Sequence, residues 1–385
     1  MQRARERSRS AGRGSPAHRR AEASPLRFAP DIYVAQTQPG LEGVAWEEIV
    51  ARVGGAREIG RRVVPDRAGM CLFRAPRIAP SHYPRSAEDI FYLTGYKRGF
   101  VGDSSERDRI RAMAREAPFV DQALAAMVIA RPGSRSGRRV RFRVVARMAG
   151  EHEFRRVDFK RAIEQGIAER GDHSWRLVEE DADVEFWATM FSGEAMLALR
   201  LSDDRMRHRE YKIAHVPGSL RPSVAAGMAW LSRPEEGDIV LDPMCGAGTI
   251  LIERALAGRY AMLIGSDRDP SMLQAARENI GPRYKPIELH SWDASAIPLP
   301  DGSVSRIITN LPWGVRHGSH SENRRLYPRL IAEFRRLTRN GGRIVILTGE
   351  MRLIGDVIER AGFRPHKVLR VSILGAPAAI YVWDV

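Results

Sequence analysis

The spacing of apolar positions changes character along the chain. Near the start it comes in short mixed blocks. Ile32-Tyr33-Val34-Ala35 predicts a strand, Pro39-Gly40 a turn, and Leu41, Val44, Ala45, Glu48 and Ile49 share one face of a helix. Met70-Cys71-Leu72-Phe73 predicts another strand and Ser86 to Tyr96 a helix, so residues 31–104 read as one small α/β unit. Residues 105–202 read as a second. Its first part is helical up to Ala130, and Pro132-Gly133-Ser134 breaks it. From Arg139 to Val145 the chain then alternates with period two. That period sends Val140, Phe142 and Val144 to one face of a strand and Arg139, Arg141 and Arg143 to the other. A helix over Asp158 to Arg170 and strands over Asp183 to Ala188 and Ala195 to Leu201 complete this unit.

From Pro234 the pattern becomes strand, loop, helix, repeated. Strands are predicted at Ile239–Asp242, Ala261–Ser266, Ile287–His290, Val304–Thr309 and Arg343–Thr348. Helices are predicted at Thr249–Ala257, Pro270–Ile280, Leu326–Thr338 and Leu353–Ala361. Two last strands, His366–Ile373 and Ala378–Val382, are joined only by Gly375-Ala376-Pro377. Parallel neighbours need a long crossover, so this final pair must be an antiparallel hairpin. The fold class that follows is α/β, with a Rossmann-like parallel sheet over residues 203–385 closed by an antiparallel hairpin.

Composition narrows the setting. No stretch reaches the ~18 consecutive apolar residues of a membrane span, and the N-terminus lacks an apolar signal core. Cys71 and Cys245 are the two cysteines, too few for a disulfide framework or a zinc site. A monomer in the cytoplasm, without metal or membrane, is the expectation. The formal net charge is +15; residues 1–30 hold eight Arg against Glu6 and Glu22 and little core material, and read as a disordered basic tail. The remaining +9 favours a polyanionic partner such as nucleic acid. The row Arg139, Arg141 and Arg143 is the candidate RNA-binding face.

The candidate chemistry lies at successive strand ends. Asp242-Pro243-Met244-Cys245-Gly246-Ala247-Gly248-Thr249 follows the first strand of the C-terminal sheet, in the crevice where such folds take ligands. Leu251 replaces the third glycine of a dinucleotide fingerprint. Asp267 ends the second strand, where a carboxylate can accept both hydroxyls of a ribose; this suits NAD and S-adenosylmethionine alike. Asp293 follows the third strand, within reach of an adenine edge. Asn310-Leu311-Pro312-Trp313-Gly314 follows the fourth. An exocyclic amine has its lone pair delocalised into the ring, and its attack must be aligned. The Asn310 oxygen and a neighbouring backbone carbonyl can accept the two N–H groups, Pro312 stiffens the turn, and Trp313 can stack on the base. Cys245 lacks the histidine that a catalytic thiol needs.

With these residues in place, the chain resembles the THUMP-domain tRNA guanine-N2 methyltransferases over most of Asp31–Val385. Thr37-Gln38-Pro39-Gly40-Leu41-Glu42 is similar to that family's opening, and Arg207-His208-Arg209-Glu210-Tyr211-Lys212 to its junction after the THUMP domain. His215 to Pro222 is similar to the loop bordering the cofactor, and Asp242 to Glu253 to its Asp-Pro-x-Cys-Gly-x-Gly-Thr-Ile-x-Ile-Glu run. The resemblance implies a class I S-adenosylmethionine-dependent methyltransferase domain, preceded by a ferredoxin-like unit (31–104) and a THUMP-like unit (105–202) that holds the acceptor end of tRNA. It also implies Asn310, Pro312 and Trp313 at the target amino group. The cofactor would lie among Pro217, Gly218, Ser219, Leu220, Asp242, Cys245, Gly246, Gly248, Thr249, Asp267, Arg268, Asp293, Ala294 and Asn310. Leu311 and Trp313 depart from the commoner Asn-Pro-Pro-Tyr form, so adenine N6 in rRNA or DNA stands as the alternative to guanine N2 in tRNA. A non-catalytic RNA-binding scaffold is the alternative of another class.

Overall fold

The structure is a computed structural model and describes residues 26–64, 67–134, 137–314 and 319–385. Most of the expected tail, residues 1–25, lies outside the described residues. Its last five residues do not behave as a tail: Leu26 is buried, and the Phe28 ring meets Phe119 at 5.0 Å and Tyr96 at 6.1 Å.

The N-terminal half runs β1 (Ile32–Thr37), α1 (Glu42–Arg52), β2 (Arg57–Val64), β3 (Ala68–Arg74), β4 (Ala87–Arg98), α2 (Arg107–Arg115), α3 (Val120–Ala130), β5 (Arg139–Met148), α4 (Arg156–Ala168), β6 (Ser174–Leu177), β7 (Val184–Phe191) and β8 (Glu194–Arg200). The helix expected over Ser86–Tyr96 is therefore wrong; this segment is β4. Ile90, Phe91, Tyr92 and Leu93 are consecutive and all buried, which one helix stripe cannot achieve but a central strand covered on both faces does. β4 also decides the architecture. It pairs with β1 on one side and β8 on the other, so the two expected units share one eight-stranded sheet of order β2-β3-β1-β4-β8-β7-β5-β6.

That sheet curls. Arg62 on β2 reaches Glu194 on β8 at 2.8 Å, and Arg147 on β5 reaches Gln36 on β1 at 2.6 Å. Each pair of strands is four places apart in the sheet order, about 19 Å on a flat sheet at ~4.8 Å per strand. No arginine spans that, so the strands wrap around Val34, Leu72, Phe91, Leu93, Trp187 and Met196. Helices α2, α3 and α4 cover the opposite face.

The C-terminal half follows a short helix α5 (Arg205–His208). It runs α6 (Pro222–Leu231), β9 (Ile239–Asp242), α7 (Thr249–Ala257), β10 (Met262–Ser266), α8 (Pro270–Ile280), β11 (Ile287–His290), β12 (Val304–Asn310), α9 (His320–Leu337), β13 (Thr338–Thr348), α10 (Met351–Arg360), β14 (Lys367–Ile373) and β15 (Ala376–Asp384). The sheet order is β11-β10-β9-β12-β13-β15-β14, parallel except for β15, which is antiparallel to both neighbours. This is the expected α/β sheet with its terminal hairpin. Helices α6, α7 and α8 pack on one face and α9 and α10 on the other.

The segment around the expected Pro39-Gly40 turn is the seat of the C-terminal half. Pro39 O accepts from Ser372 N at 3.0 Å, and Leu41 enters the core with Val224 and Met228. A Cβ on Gly40 would lie 2.1 Å from Arg370 O. The backbones meet so closely that glycine is required, and its φ of +98° requires it again. Beside this contact, buried Glu253 on α7 accepts from Arg85 Nε at 2.8 Å, Arg209 Nε at 3.2 Å and Tyr211 Oη at 2.7 Å. Glu88 on β4 takes Gln38 at 2.9 Å and Arg221 at 3.0 Å. The two sheets are thus joined by backbone contact, apolar packing and buried charge.

Candidate active site

Parallel strands end together, so their carboxyl ends share one crevice. Register places Asp242 opposite Gly265 and Ser266 opposite His290, which brings Asp267 and the loop before Asp293 beside the glycine-rich turn. On the other side of β9, Leu241 pairs with Ile307, so Asn310 projects beyond the strand ends next to that turn.

The turn itself is shaped by glycine. Gly246 and Gly248 have φ of +50° and +77°, and Gly248 caps the start of α7. A Cβ on Gly246 would meet only open space, so there is room for a ligand to approach the backbone. Gly246 N donates to Asp267 Oδ2 at 3.0 Å, while Asp269 N donates to Oδ1 at 3.0 Å. Asp267 is thereby held at the edge of the turn, half-exposed. Asp293 Oδ1 accepts from the N–H and the hydroxyl of Ser295, both at 2.8 Å, and the backbone bond holds its carboxyl below the ordinary range. Its Oδ2 lies 4.0 Å from exposed Arg268. Ala294 is buried beneath.

Asp242 is fully buried, and burial raises its carboxyl to about 7. Met244 N donates to Oδ1 at 3.3 Å, but Oδ2 has no partner among the described residues; the Thr309 hydroxyl lies beside it without a formed hydrogen bond. Burial also pushes the Cys245 thiol well above its ordinary range, which keeps it neutral, as expected of a loop residue. Pro217 and Gly218 are exposed, and Leu220 packs on the core edge. The Ser219 hydroxyl is buried with no partner among the described residues.

Asn279 on α8 is a residue the sequence reading missed. It accepts from Ala214 N at 2.8 Å and donates to Ala247 O at 3.0 Å, tying the His215–Pro222 loop to the glycine-rich turn. A polar residue on the buried stripe of Leu273, Ala276 and Ile280 was the available signal.

At the end of β12, Trp313 Nε1 donates to Asn310 Oδ1 at 3.0 Å. This bond fixes which end of the amide is the acceptor and leaves the oxygen a second lone pair. The indole lies on Gly349, where a Cβ would come within 2.9 Å of the ring. The Pro312 carbonyl accepts from Tyr327 Oη at 2.6 Å and Asn323 Nδ2 at 3.0 Å, so it anchors the turn to α9. Tyr327 also bonds Thr348 Oγ1 at 2.7 Å, and Glu350 bonds His320 at 2.8 Å. Asn323 and Tyr327 are buried one helical turn apart on the apolar stripe of α9, the same kind of signal as Asn279.

The expected arginine row lies on one exposed face of β5 and is partly neutralised. Arg139, Arg141 and Arg143 are exposed on β5, yet Arg141 pairs with Asp183 at 3.0 Å and Arg143 with Glu185. The cause is the neighbouring β7 segment: Glu185 sits opposite Arg143 in register, and Asp183, just before the strand, lies beside Arg141. No helix among the described residues is long and apolar enough to cross a membrane.

The family model described as UPF0020, RMKL-like, methyltransferase domain matches residues 209–377. The tRNA (guanine(6)-N(2))-methyltransferase THUMP3 of Bos taurus is 33% identical over 261 residues, covering 63% of this chain and 51% of that protein. The chain thus spans about half the length of the mammalian relatives it matches. The tRNA (guanine(6)-N2)-methyltransferase of Archaeoglobus fulgidus is 24% identical over 90% of each chain. Two solved structures share the fold. TrmN from Thermus thermophilus has a TM-score of 0.69 at 24% identity, covering 92% of this chain and 99% of that one. SMU.472, complexed with SAH, has a TM-score of 0.67 at 16% identity over 93% and 99%. Residues 209–377 thus match the UPF0020, RMKL-like methyltransferase domain, and the Bos taurus and Archaeoglobus fulgidus proteins that the chain resembles are tRNA guanine-N2 methyltransferases.

Proposed function

We propose that this protein methylates the N2 amine of a guanosine in tRNA, using S-adenosylmethionine. One observation carries the reading: Asn310, with its amide oxygen oriented by Trp313, stands next to a glycine-shaped turn that leaves space for a ligand. The crevice suits the cofactor. Asp267 can take the ribose hydroxyls and Asp293 the adenine edge. The unpartnered Asp242 Oδ2 and Ser219 Oγ are buried polar atoms that a bound polar group would satisfy. The SAH complex of SMU.472 supports the same cofactor class.

The cofactor supplies an electrophilic methyl on a sulfonium, so the protein needs no strong base. Its work is alignment, which can lower a barrier by up to roughly 7–11 kcal/mol. Asn310 Oδ1 accepts one N–H of the target amine through its second lone pair. The Leu311 carbonyl, next in the turn, takes the other in place of the Pro312 carbonyl. Asn323 and Tyr327 hold the turn rigid from below. A paired guanosine must first leave its stack, at a cost of a few kcal/mol.

The test uses purified protein, methyl-labelled cofactor and bulk tRNA, followed by nuclease digestion and mass spectrometry. N2-methylguanosine is the expected product. Label in N6-methyladenosine would overturn the base assignment. RNA binding without any transfer would make the chain a scaffold. Trimming the 3′ CCA should cut the rate sharply if the N-terminal half holds the acceptor end, and an unchanged rate would refute that docking.

A further inference from the structure

The arginine row on β5 does not end at Arg143. Arg147 lies on the same face, inside the curl of the eight-stranded sheet, and it differs from its neighbours. Arg141 and Arg143 each have a carboxylate partner; Arg147 has none within ion-pairing distance among the described residues. Among the described residues its guanidinium donates to a neutral group, Gln36 Oε1, at 2.6 Å. Its guanidinium lies 4.2 Å from the centre of the Trp187 ring, and a second guanidinium, Arg207, lies 5.7 Å from the same ring. Arg207 is bound to Asp89 through Nη2, while its buried Nε has no partner among the described residues. Asp89 is also claimed by Arg200, so it cannot neutralise both. Exposed Arg67, after β2, adds a third positive charge near Arg147.

Like charges do not gather at a half-buried position without cost. Burial pushes Arg147 down to about 10, and Arg207 pushes in the same direction. The Trp187 face compensates in part, by ~0.5–2 kcal/mol for such a contact. An oxyanion would relieve the rest, because a guanidinium fork matches two phosphate oxygens at once. The position favours a polymer over a small ion. Arg139, Arg141 and Arg143 continue the row outward along β5. Arg207 lies in the segment whose Arg209 is pinned to Glu253, on the helix that follows the glycine-rich turn. A phosphate held here is therefore held at a fixed distance from the methyl-transfer crevice.

We infer that Arg147 and Arg207, over the Trp187 ring, with Arg67 close enough to act on Arg147, form a binding site for a backbone phosphate of the RNA substrate. The inference rests on the RNA reading proposed above. The test measures bulk tRNA binding to the full chain as a function of salt, for wild type, Arg147→Gln and Arg67→Ala. Each variant should bind tRNA several-fold to about tenfold more weakly and lower the slope of log affinity against log salt by about one, as loss of one phosphate contact does. Cofactor affinity should not change. If both variants match wild type while wild type methylates tRNA, the site is refuted and Arg147 only closes the sheet; the methyltransferase reading survives. If wild type neither binds nor methylates tRNA, the RNA reading itself falls, and this site with it. Inorganic phosphate at constant ionic strength gives the third arm. If it raises the melting temperature of wild type but neither variant alters tRNA binding, the site takes a free oxyanion and the RNA assignment is wrong. Should Arg147→Gln fail to fold, exposed Arg67→Ala carries the same comparison.

Discussion

The two sheets use polar side chains differently. In the eight-stranded sheet, Arg62 is paired with Glu194, Arg200 with Asp89 and Arg143 with Glu185, and Arg147 is the exception. In the seven-stranded sheet the buried charges within β12 and β13, Arg306 and Arg343, are also paired, with Asp238 and Asp384, but polar groups at the carboxyl ends have valences left open, as in Asp242 Oδ2 and the second lone pair of Asn310. The first arrangement builds a shape; the second waits for a ligand. Completed pairs should therefore act on stability and open groups on function, with Glu253 marking where the two meet.

The division can be broken in five places. The largest effect is expected from Glu253→Ala. It leaves Arg85 and Arg209 facing each other without their carboxylate, and loss of one partner from a buried pair costs ~3–5 kcal/mol. Denaturant unfolding should show that loss; a near-normal midpoint would mean that the two halves do not depend on this contact. Asn310→Ala should lower single-turnover methyl transfer by about 10²-fold, the scale of a lost alignment, far more than it lowers cofactor affinity, with the melting temperature held. If the rate stayed near wild type, the turn after β12 would not be the catalytic element.

Asp267→Ala should weaken cofactor binding by ~1.5–3 kcal/mol for each charge-assisted hydrogen bond lost, measured by calorimetry on folded protein. Asp242 gives a pH signature. Its carboxyl is raised to about 7 in the folded state by burial, with Asp267 adding to the shift, whereas an unfolded aspartate titrates near ~3.9. The folded form keeps a proton that the unfolded form has lost. This contribution to stability is complete below about pH 4 and disappears as the pH rises through about 7, at no more than ~1.4 kcal/mol per pH unit. Asp242→Asn should remove that part of the pH dependence, so parallel curves for the two proteins between pH 5 and 8 would contradict it. The smallest change is Trp313→Phe, which keeps a ring on Gly349 but removes the N–H that orients Asn310. A net hydrogen bond is worth ~0.5–1.5 kcal/mol, so turnover should fall several-fold while RNA affinity holds. A loss in affinity alone would assign Trp313 to stacking.

These contrasts also mark what was legible in advance. From Pro234 onward the strand and helix positions were readable, because each strand of a parallel sheet is a local apolar run followed by its own helix. The Asp242–Thr249 turn, Asp267, Asp293 and Asn310 were readable for the same reason: they sit immediately after those runs. Asn279, Asn323 and Tyr327 were not, although each is a polar group on an apolar helix stripe. Their partners, Ala214, Ala247 and Pro312, are brought to them only by the packing of α8 and α9 against the sheet.

By itself the sequence determined the parallel sheet with its terminal hairpin, the glycine turn, the aligned acids and the asparagine turn, since all of these depend on short-range periodicity and backbone chemistry. The tertiary structure alone decided that β4 is a strand that fuses the two N-terminal units and that Gly40 is a contact between halves. It alone decided that Arg141 and Arg143 are neutralised while Arg147 is not, and that the Pro312 carbonyl is already occupied. The physical reason is common to all four. Each depends on a partner remote in sequence — Arg200, Arg370, Asp183 and Glu185, Tyr327 — and a pattern of hydrophobic positions says that a residue is covered, not by what.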